Sequence, residues 1–589
     1  MNSCLNFSKF LLLAILIAFS FVSYGQTPQL SWAHNYTSQI VNSGEKITVD
    51  NSGNVIALGN FQNEIDIDPS TSEDILGGVG PGFKSYIRKM TPHGDLIWAL
   101  TLEGAEVLFN SLLFITDCTT DSENSILITG RFIGVVDFDL GANQYIDTSV
   151  GENSFILKLS DQGEFMWVDV FKQVLNGTNT GYNVIRSIDV DESDNIYVSG
   201  LFNQRIHLDP ANPALVDTTL SLSPTFTSDQ YRGFIAKYDK NGGFLWRHMN
   251  KCHSYDEINH ISCNVNGSVT YTGFFQDSIV VEDDGLNLLL DCCSIGTATN
   301  MYVVNIDSDG EPNWMDHVSG NLTKPLSMES DSQGAVYISG EFNKSINFTP
   351  GFSWTYIPVH GYETGLPNIP DGFIMKYSSF GEVEWHHTFG GKWNDVVDNI
   401  AIDELGKPYV SCYINDSLFI DEVFKFETVS NNPYAILRFE SDGTFDKKLQ
   451  FDSGAASFKD FNFGTSGELY ATGTLSSIPT DFDPSTDGEF ILSSSGAYAM
   501  RWDGVSYPLL DQVDFTVYPN PALDQIIVQY NLNGDKFEVK IYNSSGQEVY
   551  SSYSESAVTG IDITDIQSGL YFLFINDGDI SLSRKLIVL

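Results

Sequence analysis

The chain reads as an all-β protein: a seven-bladed β-propeller whose last blade is closed by the N-terminal strand, followed by a small Ig-like β-sandwich. Three observations predict this. One hairpin pattern recurs seven times along the chain. A strand of large apolar residues follows each copy, and a glycine–tryptophan strand follows most of them. Four strands in units of roughly 70 residues match the period of a propeller blade.

The hairpin is clearest at Ile188–Gly200, where two β-branched runs flank the polar turn Glu192-Ser193-Asp194-Asn195 and the second run is closed by Gly200. The other copies are Val49–Gly59, Thr120–Gly130, Asn264–Gly273, Ser330–Gly340, Ile402–Cys412 and Phe463–Gly473. The apolar strand reads Tyr86–Met90, Phe155–Leu159, Phe234–Tyr238, Tyr302–Ile306 and Phe373–Tyr377, with looser copies at Ala435–Phe439 and Tyr498–Trp502. Alternating large residues mark a strand with one face well buried. Its fourth place is basic in six of the seven copies. This charge is expected to pair across strands with a nearby carboxylate, such as the aspartate nine residues before the hairpin glycine.

The last strand of each unit places tryptophan four residues after glycine: Trp98, Trp167, Trp246, Trp314 and Trp385, with Lys447 at the degenerate sixth copy. Recurrence at one place favours packing over sugar binding, because an indole buries much area. No such strand follows the seventh hairpin. Leu30–His34, with Trp32, is the strand left over, so the N-terminus is expected to complete the last blade and leave no free edge. On that reading Trp502, at the end of its strand, matters less than Trp32.

Composition narrows the partners. With 76 acidic against 30 basic residues the net charge is -46, which argues against nucleic acid and anionic membranes. Lys9, the apolar run Phe10–Val22 and Ser23-Tyr24-Gly25 read as a secretory signal over residues 1–25, cleaved between Gly25 and Gln26. The run is too short for a stable membrane anchor, and no other segment resembles one. Cys118 and Cys412 are expected as buried free thiols, while Cys252 and Cys263 flank a loop and could pair. The adjacent Cys292 and Cys293 cannot share one pocket of a regular strand. A monomer is expected.

Asp50…Gly53-Asn54…Gly59 and Asp191…Asn195…Gly200 resemble the hairpin of the bacterial β-propeller repeat family, over about residues 28–505. Asn264, Gly464 and Cys412 depart from that pattern. The resemblance implies a fold and a secreted life rather than one activity. After a link at 506–512, residues 513–589 carry Tyr518-Pro519-Asn520-Pro521, a turn at Gly546, Ser568-Gly569-Leu570-Tyr571 and a basic-apolar end containing Lys585. Glycine and asparagine turns between alternating strands suggest a small sandwich. The segment resembles the C-terminal sorting domain of the type IX secretion system of Bacteroidetes. That resemblance implies passage through both membranes, then release or attachment to the cell surface, with the secretion machinery as a partner.

Chemistry is harder to find. Asp66/Asp68, Asp137/Asp139 and Asp481/Asp483 place carboxylates two apart on a strand, a spacing able to contribute to a Ca²⁺ site but short of the six to eight oxygens calcium takes. Aspartate before proline also starts turns, which is the plainer reading. His34, His248 and His387 fall on outer strands of different units, too far apart to share a metal. No catalytic motif is present at useful spacing. The expected function is therefore a binding or structural module for a polysaccharide or surface protein, without a required cofactor. The rival is a glycan-active hydrolase or lyase whose acid and base come from the acidic loops of the funnel.

Overall fold

The computed structural model describes residues 28–588 apart from internal stretches, the longest being 69–74, 105–111, 174–181, 219–230, 292–298, 350–355, 360–368, 428–433, 484–489, 506–514 and 531–536. The signal cleavage pair Gly25 and Gln26 lies outside these residues, as do Cys292, Cys293, Pro519–Pro521 and Gly546. The chain divides into two compact units, Met1–Ser506 and Tyr507–Leu589. Among the described residues no helix is long and apolar enough to cross a membrane.

Strand pairing among the described residues of the first unit gives seven four-stranded antiparallel sheets. The first sheet runs Asn42–Val49, Val55–Gln62, Phe83–Met90, Leu96–Leu102 from one edge to the other. The next five repeat this order, and the long strand Pro312–Ser330 serves as the outer strand of the fourth and the inner strand of the fifth. The seventh takes Ala456–Phe463, Leu469–Leu475 and Gly496–Asp503 from the C-terminal side, then Gln29–Ser38 from the N-terminal side. Leu30 pairs with Trp502 and Tyr36 with Ala497, so the leftover strand falls where strand counting put it. The first strand of each sheet lies against the first strands of its two neighbours, and the seventh returns to the first. The sheets therefore stand around an axis, inner strands innermost.

The hairpin turns are built by their aspartates. Asp50 Oδ1 accepts from Ser52 N at 2.9 Å and Asn54 N at 2.8 Å, and Asp121, Asp191, Asp331 and Asp403 repeat the arrangement. The hairpin glycine does not close its strand, which runs on past it: Gly59 sits inside Val55–Gln62. The reason is a bulge in the inner strand opposite, between Gly44 and Lys46, that brings backbone across the glycine; a Cβ on Gly59 would lie 2.1 Å from Ser43 O.

Neighbouring sheets are latched at one recurring place. The Trp98 indole donates to Asp161 O of the next sheet at 3.1 Å, and Lys89 Nζ reaches the same carbonyl at 3.3 Å. Trp246 with Lys237 on Ser308 O, Trp385 with Lys376 on Ser441 O, and Trp32 with Arg501 on Pro92 O repeat it. Each indole lies over the turn glycine of the next sheet, as Trp32 does over Gly94 (φ 88°), where a Cβ would stand 2.9 Å from Trp32 Cδ2. Packing is thus the role of these tryptophans.

The strand cations pair as expected, with variations. Lys89–Asp50 and Lys158–Asp121 are 2.8 Å apart, and Lys237–Asp191 is 3.8 Å. In the fourth sheet both partners are neutral, Asn305 and Asn264, each bonded to Ser268 and Thr270. Lys376, Arg438 and Arg501 turn instead to Glu384, Asp446 and Glu468. Two expectations fail. Trp502 is not peripheral: it is fully buried, its indole donating to Phe482 O at 2.8 Å. Cys252 and Cys263 do not pair: Cys252 is buried against Arg232, while Cys263 ends an inner strand, so their backbones diverge. Cys412 is a buried free thiol, but Cys118 is only partly buried.

The second unit is two sheets over one apolar core. Phe515–Tyr518, Gln525–Tyr530 and Val558–Asp562 form the smaller; Phe537–Asn543, Glu548–Ser554, Gly569–Asn576 and Ser581–Val588 form the larger. Val528, Val539, Ile561 and Leu573 meet in the core. Gly569 opens its strand, Tyr571 donates from its hydroxyl to Gln567 O at 2.7 Å, and Lys585 pairs in register with Phe572.

Candidate functional site

A cavity of about 270 Å³ lies on the ring axis and takes lining residues from all seven inner strands. Its first layer is set by the inner-strand bulge, which falls immediately before Lys46, Asp117, Ser187, His260, Asn399 and Asp460, and likewise before Ser327. An extra residue at that point re-aims the strand, so the next residues alternate into the cavity rather than into the sheet. Two residues further along, Thr48, Asp189, Ser262, Glu329 and Asn462 form a second layer.

The carboxylates are tied to neighbouring strands. Asp117 Oδ1 is 3.2 Å from Lys46 Nζ, and its other oxygen accepts from Ile188 N at 3.0 Å. Asp460 accepts from Ile47 N at 2.9 Å, and Asp189 from Cys263 N at 2.7 Å. Each bond crosses from one sheet to the next, so the acids both line the cavity and staple its wall.

Confinement shifts their protons. Burial pushes the Asp189 carboxyl up to about 6. It does the same for Asp460, to about 6, against the attraction of Lys46. Glu329 is wetted by the channel yet enclosed by the ring, and burial together with Asp189, Asp460 and Asp117 holds it up at about 8. His260 is pushed down to about 4 by burial, with Lys46 adding to the effect. Burial also opposes the Lys46 charge, but Asp117 and Asp460 outweigh it and keep the ammonium firmly protonated. At neutral pH the cavity's described residues supply the Lys46 cation, the partly ionised acids Asp189 and Asp460, and a largely protonated Glu329.

None of these residues was singled out from sequence. The signal was available: each first-layer residue stands four places before the hairpin aspartate or its replacement, as in Lys46/Asp50, Asp117/Asp121, His260/Asn264 and Asp460/Gly464.

The acids that the sequence does single out as calcium candidates lie elsewhere. Asp137 Oδ1 accepts from Asp139 N and Tyr145 N at 3.2 and 2.8 Å, Asp139 caps Gly141 N at 2.9 Å, and Asp481 Oδ1 accepts from Asp483 N and Phe490 N at 3.1 and 2.8 Å. Between the members of each pair Ile67, Phe138 and Phe482 are fully buried. Asp66 pairs in register with Thr37 of the N-terminal strand. Asp68, partly buried just past the end of Glu64–Asp66, acts on His34 of that same strand. Its charge favours the imidazolium, but burial and Arg88 prevail and hold His34 down at about 4. Loop capping and links to the closing strand are what these side chains visibly do. Among the described residues no group of three or more His, Cys, Asp or Glu is placed to hold a metal ion. His34 stacks on Trp32 at 4.8 Å, His387 joins Asp421, and His248 stands near Tyr271, so the three histidines stay apart.

The ring of four-stranded sheets defines a propeller-type repeat protein, and comparison with known proteins agrees in part. Residues 516–589 match the secretion system C-terminal sorting domain, so the tail is a type IX sorting domain, which directs secretion. Over 461 residues the chain is 22% identical to an uncharacterized WD repeat-containing protein, L264, of Acanthamoeba polyphaga mimivirus, covering 65% of this chain and 31% of that protein. The chain thus spans about a third of that relative's length. Among solved structures, XC5397 of Xanthomonas campestris, a gluconolactonase, is 12% identical with a TM-score of 0.26, covering 64% of this chain and 89% of its own. Latent PorU of Porphyromonas gingivalis is 10% identical with a TM-score of 0.12, covering 73% and 36%. At these scores neither structural likeness bears on the chemistry.

Proposed function

We propose that this is a secreted or surface-attached binding module: residues 26–505 form a seven-bladed propeller that takes an extracellular ligand on its axis. Residues 1–25 serve as a cleaved signal, 506–512 as linker, and 513–589 as an Ig-like sorting sandwich with Tyr518–Pro521, Gly546, Gly569, Tyr571 and Lys585 in its recognition elements. The observation that carries the binding reading is the polar axial cavity to which every inner strand contributes. Pockets where several elements converge few polar groups are where ligands bind. The test is a screen of the secreted protein against glycans and surface proteins, with mutations at Asp117 and His260. Saturable binding lost in those variants supports the module; a cavity indifferent to every ligand refutes it.

One observation favours the rival hydrolase or lyase. Glu329, protonated at neutral pH, sits in a cavity with Asp117, Asp189 and Asp460, which pairs a potential acid with potential bases. The acids would then come from the inner strands rather than from the loops. Turnover of a glycan that disappears in Glu329→Gln would establish the enzyme and displace the binding module.

A further inference from the structure

We propose that the face of the ring where the inner strands begin carries a carbohydrate platform, and that its glycan is uncharged or cationic. This rests on the binding-module reading and names the ligand class for the same axis.

A row of aromatic rings crosses the third and fourth sheets there. Tyr182 and Tyr231 are 5.9 Å apart, Tyr231 and Tyr255 5.4 Å across the sheet boundary, and Tyr255 and Phe274 5.6 Å in a near-parallel stack. Lys324 of the fifth sheet stands 5.2 Å over Phe274. The backbone fixes the row, because Tyr182 and Tyr231 both pair with Asn203, Tyr231 meets Tyr255, and Phe274 opposes Glu257. All four rings are half-buried, and none joins the apolar clusters inside or between the sheets. Large apolar area held at the surface outside the core marks a place where something else is meant to pack.

Planar polar groups frame the row. Arg186 Nε is 2.8 Å from Glu257 Oε1, Tyr255 donates to the same carboxylate at 2.5 Å, and Asn259 Nδ2 does so at 3.0 Å. Arg186 is exposed, and the Asn259 carbonyl oxygen is buried without a partner. Aromatic rings give the C–H faces of a sugar ring their contact, and fixed guanidinium, amide and carboxylate groups answer its hydroxyls. Arg186 and Asn259 are also the bulge residues that immediately precede the cavity-lining Ser187 and His260, so platform and cavity form one continuous surface on the same strands.

Charge selects among glycans. Among the cavity's described residues Asp117, Asp189 and Asp460 face one cation, Lys46, and the whole chain carries a net charge of -46. Uronate and sulfated polymers would be repelled, while neutral polymers or hexosamine chains would not.

The test uses the full secreted chain in calorimetric titrations with cellohexaose, a chitosan hexamer and an oligogalacturonate, backed by an array of neutral, amino and acidic glycans. Expected is saturable binding of a neutral or amino glycan, none of the oligogalacturonate, and a loss of about tenfold or more in Tyr255→Ala and in Phe274→Ala. Tyr255→Phe, which keeps the ring and drops only the hydroxyl, should retain most of the affinity, and thermal melts show which variants remain folded. Should either alanine variant unfold, Tyr182→Ala takes its place. Glycan binding unchanged in folded platform variants overturns the platform while leaving the binding module standing. Preference for the acidic glycan overturns the charge argument. A protein ligand held on the axis with no glycan bound overturns the carbohydrate class, and no ligand of any class overturns the module itself.

Discussion

Replacing Trp32 by alanine should loosen the ring at the point where it closes. The indole is 7% exposed and packs among Tyr36, Ile47, Val55 and Met90. Truncating a core tryptophan costs about 3–5 kcal/mol. The lost hydrogen bond adds little, because Pro92 O still receives Arg501 at 2.7 Å and is not left bare. The cavity term should sit toward the high end, since Gly94 beneath the ring has no side chain with which to fill the space. Size scaling gives about 2–4 °C per kcal/mol for units of 150–250 residues and less for a larger one, so a fall of roughly 4–8 °C is expected. Trp98→Ala, the same latch within the first sheet, is the comparison, because its strand is held on both sides by covalent chain. Deleting residues 26–36 should do more, since it unpairs the edge of Gly496–Asp503. Differential scanning calorimetry of the three variants decides it. Melts of the deletion that coincide with the intact ring would show that Gln29–Ser38 does not hold the ring closed.

Three further outcomes follow from the same structure. Asp189 and Asp460 keep their protons to about pH 6 and Glu329 to about 8 when folded, against ~4 unfolded, so their contribution is full below pH 4 and is lost as pH rises toward 8. His260 acts oppositely, its folded value of about 4 lying below ~6.5, and its penalty is confined to the acid side of that value. Glu329→Gln should therefore raise the melting temperature at pH 9 and leave it little changed at pH 5; an equal gain at both would contradict the protonation assigned. Lys158→Met should cost about 3 kcal/mol in urea unfolding, because Asp121 is 4% exposed and loses its counter-charge while keeping two backbone N–H donors, and adding Asp121→Asn should recover part of it. Deleting Asp514–Leu589 should leave a folded ring inside the native host's envelope, and normal amounts of it outside the cell would refute the role of the tail.

Much of the fold can be read in advance because its repeated devices are local. Asp50 and Asp191 bond to N–H groups two and four residues on, so their turns are written in five consecutive residues. The closing strand emerges from counting, since a ring with one strand missing has an edge to fill. The cavity is hidden for the opposite reason. Its residues differ at every repeat, from Lys46 to His260 to Asn399, and what they share is only an offset from the hairpin and a bulge that sequence periodicity treats as an interruption. The acids that do stand out, such as Asp137 and Asp481, draw notice through an Asp-x-Asp pattern that backbone capping alone produces. Asp68 shares the pattern, yet its neighbour His34 comes from a strand 34 residues upstream whose end pairs with Ile65 and Asp66. Burial of Trp502 is not legible because the last residue of a strand reads as its rim, when the ladder continues onto Leu30 and Leu469 on either side.

The union of the two ends of the ring also orders events in time. The Asn35 side chain bonds to Ser494 O across 459 residues, and Arg501 reaches Pro92 O across 409. Contacts so remote in sequence are the slowest to form. Until Gly496–Asp503 has left the ribosome, the N-terminal strand lacks its partner in the seventh sheet and meets only Ile65 and Asp66 through Ser38 and Thr37. During that interval two unpaired edges, one at each end of a growing stack of sheets, are open to strands of other molecules. The matched sorting domain begins at residue 516, shortly after the strand ending at Asp503 that closes this exposure, so a chain that offers its export address is also the first able to complete its circle.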